Sequence, residues 1–149
     1  MTRVAIVGTG FGGLAAAVRL RQAGIDDVDL FEKSTDVGGV WRENTYPGAA
    51  CDVASHLYSL SFTPRADWSR RFAPQEEIHQ YLRDLARDFG LLPLIRFSTE
   101  VLGATFDEDA AVWRLTLSGK GEHEADVLVA ATGQLSRPSR PALPGLDRF

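Results

Sequence analysis

Arg3-Val-Ala-Ile-Val7, Gly8-Thr-Gly-Phe-Gly-Gly13, a run of small and apolar residues, then Val28-Asp-Leu-Phe-Glu32-Lys33: this stretch decides the fold. Val4 to Val7 is short, apolar and β-branched, as a strand buried on both faces should be. Glycines follow at once. Gly13, Ala16, Ala17, Leu20, Ala23 and Gly24 recur at helical spacing and predict one buried helix face, with Gly24 as the stop. A second apolar strand then ends at an acid, Glu32. Each residue type has a physical role. Gly8 permits a tight strand-to-helix turn, Gly10 has no Cβ to keep a pyrophosphate off the backbone, and Gly13 lets helix and strand approach closely. The helix start offers unpaired N–H groups and partial positive charge to a phosphate. Glu32 follows Gly10 by 22 residues, close to the ~20 expected of an acid that accepts a hydrogen bond from a ribose. A carboxylate there disfavours a 2′-phosphate, which would meet like charge.

Composition sets the outer bounds. At 149 residues the chain is one domain by size, long enough for a real core. The net charge is −4, and its 14 arginines are scattered, with Arg70-Arg71 the one adjacent basic pair, so no nucleic-acid footprint is visible. Cys51 is the single cysteine, which excludes an internal disulfide and fits a reducing compartment. A strand begins within a few residues of Met1, leaving no room for a signal peptide, and no apolar run approaches the ~20 residues of a membrane helix. The expectation is a cytoplasmic protein.

Residues 34–74 carry little periodicity but many aromatics, among them Trp41, Tyr46, Tyr58 and Trp68. So long a loop in a compact domain is usually functional, and its aromatic content argues against disorder. A short strand near 57–62 is compatible with the pattern. Pro74 can open a helix whose apolar face is Ile78, Tyr81, Leu82, Leu85 and Phe89, ended by Gly90. His79 on this helix reads as a surface residue. Three strands are predicted next, at 99–106, 112–117 and 122–131, joined by hairpin-like links at 107–111 and 119–121. Leu102, Ala104 and Phe106 would share a face of the first, and Trp113, Leu115 and Leu117 a core face of the second. The third turns from polar to continuously apolar midway, as a strand leaving an antiparallel meander for a buried parallel sheet would. Pro138, Pro141 and Pro144 make residues 136–149 an extended linker.

His56, His79 and His123 share no ligand spacing, Cys51 has no paired histidine or second cysteine, and no metal site is expected. Asp52 reads either as an active-site carboxylate or as a turn residue bonding its own backbone.

Taken together, several stretches resemble the N-terminal part of flavin-dependent monooxygenases of the Baeyer–Villiger type. They are Gly8-Thr-Gly-Phe-Gly-Gly-Leu14, Glu32-Lys33, Asp36-Val-Gly-Gly-Val-Trp41, Asn44-Thr-Tyr-Pro-Gly48, Cys51-Asp-Val53, Ser55-His-Leu-Tyr58, Trp68-Ser-Arg-Arg-Phe72, Ala131-Thr-Gly-Gln-Leu-Ser136 and Pro144-Gly145-Leu146. The resemblance implies an α/β fold: a Rossmann-like FAD-binding domain with a parallel sheet, plus a three-stranded antiparallel β-meander. It would occupy residues 1–135, with 136–149 leading to an NADPH-binding domain. Gly8, Gly10, Phe11, Gly12 and Gly13 would hold the FAD pyrophosphate, Glu32 the adenosine ribose, and Val101 the adenine, with Lys33 among the cofactor-binding residues. Gly39, Val40 and Trp41 would line the riboflavin. Asp52 and Tyr58 would lie by the isoalloxazine, with Asp52 as the catalytic carboxylate that also meets the nicotinamide cofactor. Ala131, Thr132 and Gly133 would form a second flavin-proximal turn.

In the family, NADPH reduces FAD, oxygen is activated on the flavin, and a ketone becomes an ester or lactone. The family's fingerprint is Phe-x-Gly-x-x-x-His-x-x-x-Trp, and here only its first residue, Phe149, is present. The second glycine-rich unit, which binds NADPH, and the active-site arginine are also missing. The expectation is a truncated, inert flavin portion that pairs with a complementary NADPH-binding chain or self-associates through apolar surface at Trp41, Tyr58 and Leu135. Two alternatives stay open: a stand-alone dinucleotide-binding module without redox activity, or the FAD part of an N- or S-oxidising flavin monooxygenase.

Overall fold

The computed structural model describes residues 1–119 and 121–148. Phe149, matched above to a family fingerprint, and Lys120, in the predicted 119–121 link, lie outside the described residues. The opening stretch folds as β1 (Val4–Val7), α1 (Phe11–Gln22) and β2 (Val28–Phe31). β1 and β2 pair in parallel, Val4 beside Val28 and Val7 beside Phe31. α1 closes in a Schellman motif: Gly24 N–H donates to Arg21 C=O and Ile25 N–H to Leu20 C=O. Its buried face is Gly13, Leu14, Ala17 and Val18, whereas Ala16 and Leu20 are half-buried and Ala23 and Gly24 are exposed. Alanines and glycines occur all around this helix, so they do not define its phase. The larger Leu14 and Val18 remove the most apolar area from water and set it.

Residues 34–74 hold a short helix, α2 (Val40–Glu43), and a 3₁₀ turn at Ser55–Leu57. The strand expected near 57–62 does not form; a single bridge joins Leu60 to Thr63. The following helix, α3 (Gln75–Asp88), carries the predicted apolar face and ends in a second Schellman motif, with Gly90 N–H on Arg87 C=O and Leu91 N–H on Ala86 C=O. Tyr81 explains how the irregular loop is fixed. Its hydroxyl donates to Thr63 C=O (2.8 Å) and accepts from Leu60 N–H (2.9 Å). Ser55 pins the other end, its hydroxyl donating to Arg70 C=O at 2.8 Å and its N–H to Arg71 C=O at 2.7 Å.

The expectation that His79 is a surface residue is corrected. Its residue exposure is only 9 %, and its Nε2 lies 2.9 Å from Val37 O and 3.5 Å from Asp36 Oδ2. A polar residue at the edge of an apolar helix face is drawn inward when a neighbouring loop offers a backbone carbonyl.

A two-residue strand that the sequence pattern did not reveal, β3 (Ile95–Arg96), pairs in parallel with β2. β4 (Val101–Asp107), β5 (Val112–Leu117) and β6 (Glu122–Ala125) then form the antiparallel meander. The register of β4 shifts between Val101 and Gly103, and all of Leu102 to Phe106 is exposed, so the strand contributes no buried face there. Leu115 of β5 is fully buried with Ala125, Ala5 and Phe31, joining the meander to one face of the parallel sheet. α1 and α3 cover the opposite face around Ile6, Leu30, Leu14 and Leu82.

The predicted 122–131 run breaks at Asp126, which accepts from Arg3 N–H at 2.8 Å and the Arg3 guanidinium at 2.7 Å. β7 (Val127–Ala130) then enters the parallel sheet beside β1, giving the order β3-β2-β1-β7. Beyond it, the linker is not wholly extended, because Leu146–Arg148 makes a 3₁₀ turn. No helix among the described residues is long and apolar enough to cross a membrane.

Candidate functional site

β1, β2 and β7 end side by side, so Gly8, Glu32 and Ala131 emerge at one edge of the sheet. They open on a cleft of about 560 Å³. Clefts at the carboxyl ends of parallel strands are where α/β sheets take ligands. The first wall is the glycine turn. Gly8 has φ +100°, and a Cβ there would lie 2.6 Å from Ala131 O, so both conformation and space demand glycine. Gly13 is as constrained: a Cβ would sit 1.9 Å from Gly8 O. Gly10 is different. An added Cβ would meet only Gly39 Cα, at 3.8 Å, so its free side faces open cleft. It is also the N-cap of α1, with no side-chain cap, which leaves the first-turn N–H groups to a ligand.

Glu32 lines the same cleft, although only 4 % of the residue is exposed. Its Oε2 accepts from Thr9 N–H (3.1 Å) and the Thr9 hydroxyl (2.5 Å), and its Oε1 from Ser34 N–H (3.0 Å). Lys33 reaches across the rim to Glu43 on α2, Nζ to Oε1 3.2 Å.

The facing wall is aromatic. Gly38 N–H donates to Thr9 C=O at 2.9 Å, which docks the second glycine pair on the first turn. Gly38 has φ +123°, and a Cβ there would lie 2.7 Å from the His79 ring. α2 then presents Val40 and Trp41 to the cleft. The Gln75 side-chain amide donates to Trp41 C=O, and Trp41 Nε1 donates to the Tyr58 hydroxyl at 3.1 Å. Trp41 and Phe11 both meet Tyr58 edge-on, with ring centroids 5.6 and 5.2 Å away. Burial pushes the Tyr58 phenol pKa up, against the hydrogen bond from Trp41, which pulls it down. Tyr58 therefore stays a neutral O–H at ordinary pH, and having accepted from Trp41 it has its own proton to donate.

The cleft brings together most of the residues predicted from sequence. Gly8, Gly10, Phe11 and Gly12 line it, as do Glu32 and Lys33, Gly39, Val40 and Trp41, Tyr58, Val101, and Ala131, Thr132 and Gly133. Two do not. Gly13 acts behind the turn, where helix meets strand. Asp52 is exposed and lies off the lining, though its charge is felt at Tyr58. Trp41 and Tyr58 are half-buried rather than open apolar surface, while Leu135 is well exposed. Thr9, Gly38, Glu43, Thr99 and Glu100 also line the cleft without having been picked out from sequence. For Thr9 the signal was present, since it sits between two fingerprint glycines. Glu43 depends on a helix that residues 34–74 do not announce.

A parallel βαβ unit with this turn and this acid defines a dinucleotide-binding Rossmann-like domain. Residues 6–85, more than half of the chain, match the NAD(P)-binding Rossmann-like domain family, and the chain belongs to it. Its full-chain likenesses are narrower. It is 52 % identical over 147 residues to a Baeyer–Villiger monooxygenase of Streptomyces coelicolor, covering 99 % of this chain and 28 % of that protein. Among solved structures, an oxidized steroid monooxygenase bound to NADP superposes with a TM-score of 0.88 at 44 % identity, covering 99 % of this chain and 29 % of that one. OTEMO, in a complex with FAD and NADP, gives 0.89 at 32 % identity over the same shares. The chain thus spans little more than a quarter of the length of the relatives it matches.

Proposed function

We propose that residues 1–135 bind FAD as the flavin portion of an NADPH-dependent, Baeyer–Villiger-type monooxygenase, with 136–149 leading toward an NADPH-binding domain. The observation that carries this reading is the order of chemistry along one cleft. A buried carboxylate, an open glycine turn at a helix N-terminus, and an aromatic pair follow one another as ribose, pyrophosphate and ring system do in a dinucleotide.

The residues fit that cofactor. Glu32 and Lys33 would hold the adenosine ribose, and Val101 the adenine. The N–H groups at Gly10 to Gly12 would hold the pyrophosphate. Gly39, Val40, Trp41 and Tyr58 would line the flavin end, and Ala131 to Gly133 would close it. When bound, FAD supplies acceptance of hydride and activation of oxygen. The chain's own residues orient it, exclude water from one side, and offer the neutral Tyr58 hydroxyl as a donor. Asp52, exposed near Tyr58, is proposed as the carboxylate that meets the nicotinamide cofactor. The substrate class proposed for the whole enzyme is a ketone. Exposed Leu135, Leu143 and Leu146 would give a complementary NADPH-binding chain, or a second copy, apolar surface to cover. The buried free thiol of Cys51 suits a cytoplasmic setting.

Titration of the chain with FAD, NAD and NADP, by calorimetry or flavin fluorescence, tests the reading. FAD should bind tightest, and tighter binding of NADP would overturn it. With saturating FAD, NADPH and a cyclic ketone, this chain alone should yield no ester. Ester formation without an added partner would refute the assignment of the remaining machinery to other sequence.

A further inference from the structure

Thr9 has no solvent exposure and yet uses three of its polar groups on the cleft. Its N–H and hydroxyl both donate to Glu32 Oε2, and its carbonyl accepts from Gly38 N–H. An ionised carboxylate offers about four lone-pair sites. Three of those on Glu32 are taken, two on Oε2 by Thr9 and one on Oε1 by Ser34 N–H. Glu32 itself is only 4 % exposed.

We infer that Thr9 is a positioning residue that saturates Oε2 of Glu32 and leaves one acceptor site, on Oε1, so that a ribose is read through one hydroxyl rather than two. The inference rests on the proposal that this cleft holds the adenosine end of FAD. Its chemistry is simple. A carboxylate with both oxygens free can grip a vicinal diol with two hydrogen bonds. One with a saturated oxygen can accept from only one hydroxyl. With Oε2 pinned by the 2.5 Å contact from the Thr9 hydroxyl and Oε1 held by Ser34 N–H, the carboxylate is not free to turn its one open site from one hydroxyl to the other. The third bond of Thr9, to Gly38, ties the same residue to the aromatic wall. The ribose reader and the flavin-side turn are therefore set by one side chain and its backbone.

The experiment measures binding of FAD, ADP, 2′-deoxy-ADP and 3′-deoxy-ADP to the 149-residue chain and to its Thr9→Val and Thr9→Ser variants. Unmodified chain should lose about tenfold in affinity for one deoxy analogue and less than about threefold for the other, as loss of one charge-assisted hydrogen bond requires. Thr9→Val should weaken ADP and FAD about fivefold to tenfold and narrow the gap between the two analogues. Thr9→Ser, which restores the hydroxyl, should recover both. Equal losses for the two analogues on the unmodified chain would overturn the inference without any variant, and so would a Thr9→Val protein that binds and discriminates normally. Binding of ADP with the expected asymmetry but not of FAD would refute the FAD reading and leave the role of Thr9 standing. Failure to bind either nucleotide would overturn both.

Discussion

The two walls of the cleft are built by opposite means. The wall of Gly8 to Gly13 and Glu32 is made of backbone in close approach: Gly13 against Gly8, Gly8 against Ala131, with no room for a Cβ at either contact. The wall of Gly38 to Tyr58 is made of irregular chain that distant side chains hold in place. Gln75 anchors the Trp41 carbonyl, His79 the Val37 carbonyl, and Tyr81 both Leu60 and Thr63. All three anchors come from α3, so that helix shapes a wall to which it contributes no lining residue. The first wall should fail abruptly when a single atom is added. The second should loosen by degrees as single bonds are removed.

Gly13→Ala is the strongest test of that contrast. Its Cβ would fall on Gly8 O, and overpacking of backbone against backbone should cost about 3 kcal/mol or more, read as a large drop in the urea midpoint or as insoluble protein. A near-normal midpoint would show that the first wall has slack. Next comes Glu32→Ala, which should weaken FAD by about 1.5–3 kcal/mol in a calorimetric titration; an unchanged dissociation constant would place the ribose elsewhere. Tyr81→Phe leaves Leu60 N–H and Thr63 C=O without their partner and should cost about 1–2 kcal/mol. Its distinguishing sign is faster proteolysis within 57–68 while α1 stays protected. His79→Leu, which keeps apolar bulk but gives up the bond to Val37, should cost about 1 kcal/mol and shift Trp41 fluorescence. Loss of folding there would mean that the second wall is as brittle as the first. Arg114→Ala removes exposed pairs to Asp107 and Glu124 on the meander, remote from both walls, and should leave the midpoint unmoved within error.

The same division governs what was legible in the sequence. Backbone close approach writes itself as glycine, so the turn, α1 and the acid at Glu32 could be placed from residue order alone. The meander was equally plain because strands and hairpin links alternate locally between Val101 and Ala125. Side-chain anchoring leaves no periodic trace. Nothing at position 79 says that a carbonyl 42 residues away will draw that histidine inward. Nor does anything in 34–74 signal α2, whose four residues are too few to establish a helical period. β3 escaped notice for a similar reason: two residues show no alternation, and the strand exists because β2 offers it an edge. Asp52 marks the boundary of motif reading, since its neighbours matched a pattern while its side chain lies off the cleft lining.

The placement of β7 bears on when the site comes into being. β1 sits between β2 and β7, yet its two neighbours reach it along very different routes. β2 arrives through one helix. β7 arrives only after the meander, with Arg3 meeting Asp126 across 123 residues of chain. Closing that loop must be met in entropy before its contacts give anything back, and such pairings are the slow ones. The turn at Ala131 to Gly133, which packs on Gly8 and lines the cleft, follows directly from that strand. Formation of the cleft therefore waits on the docking of β7 and not on the glycine turn alone. A chain emerging from the ribosome would carry its glycine fingerprint early and gain a closed pocket only after β7 has docked.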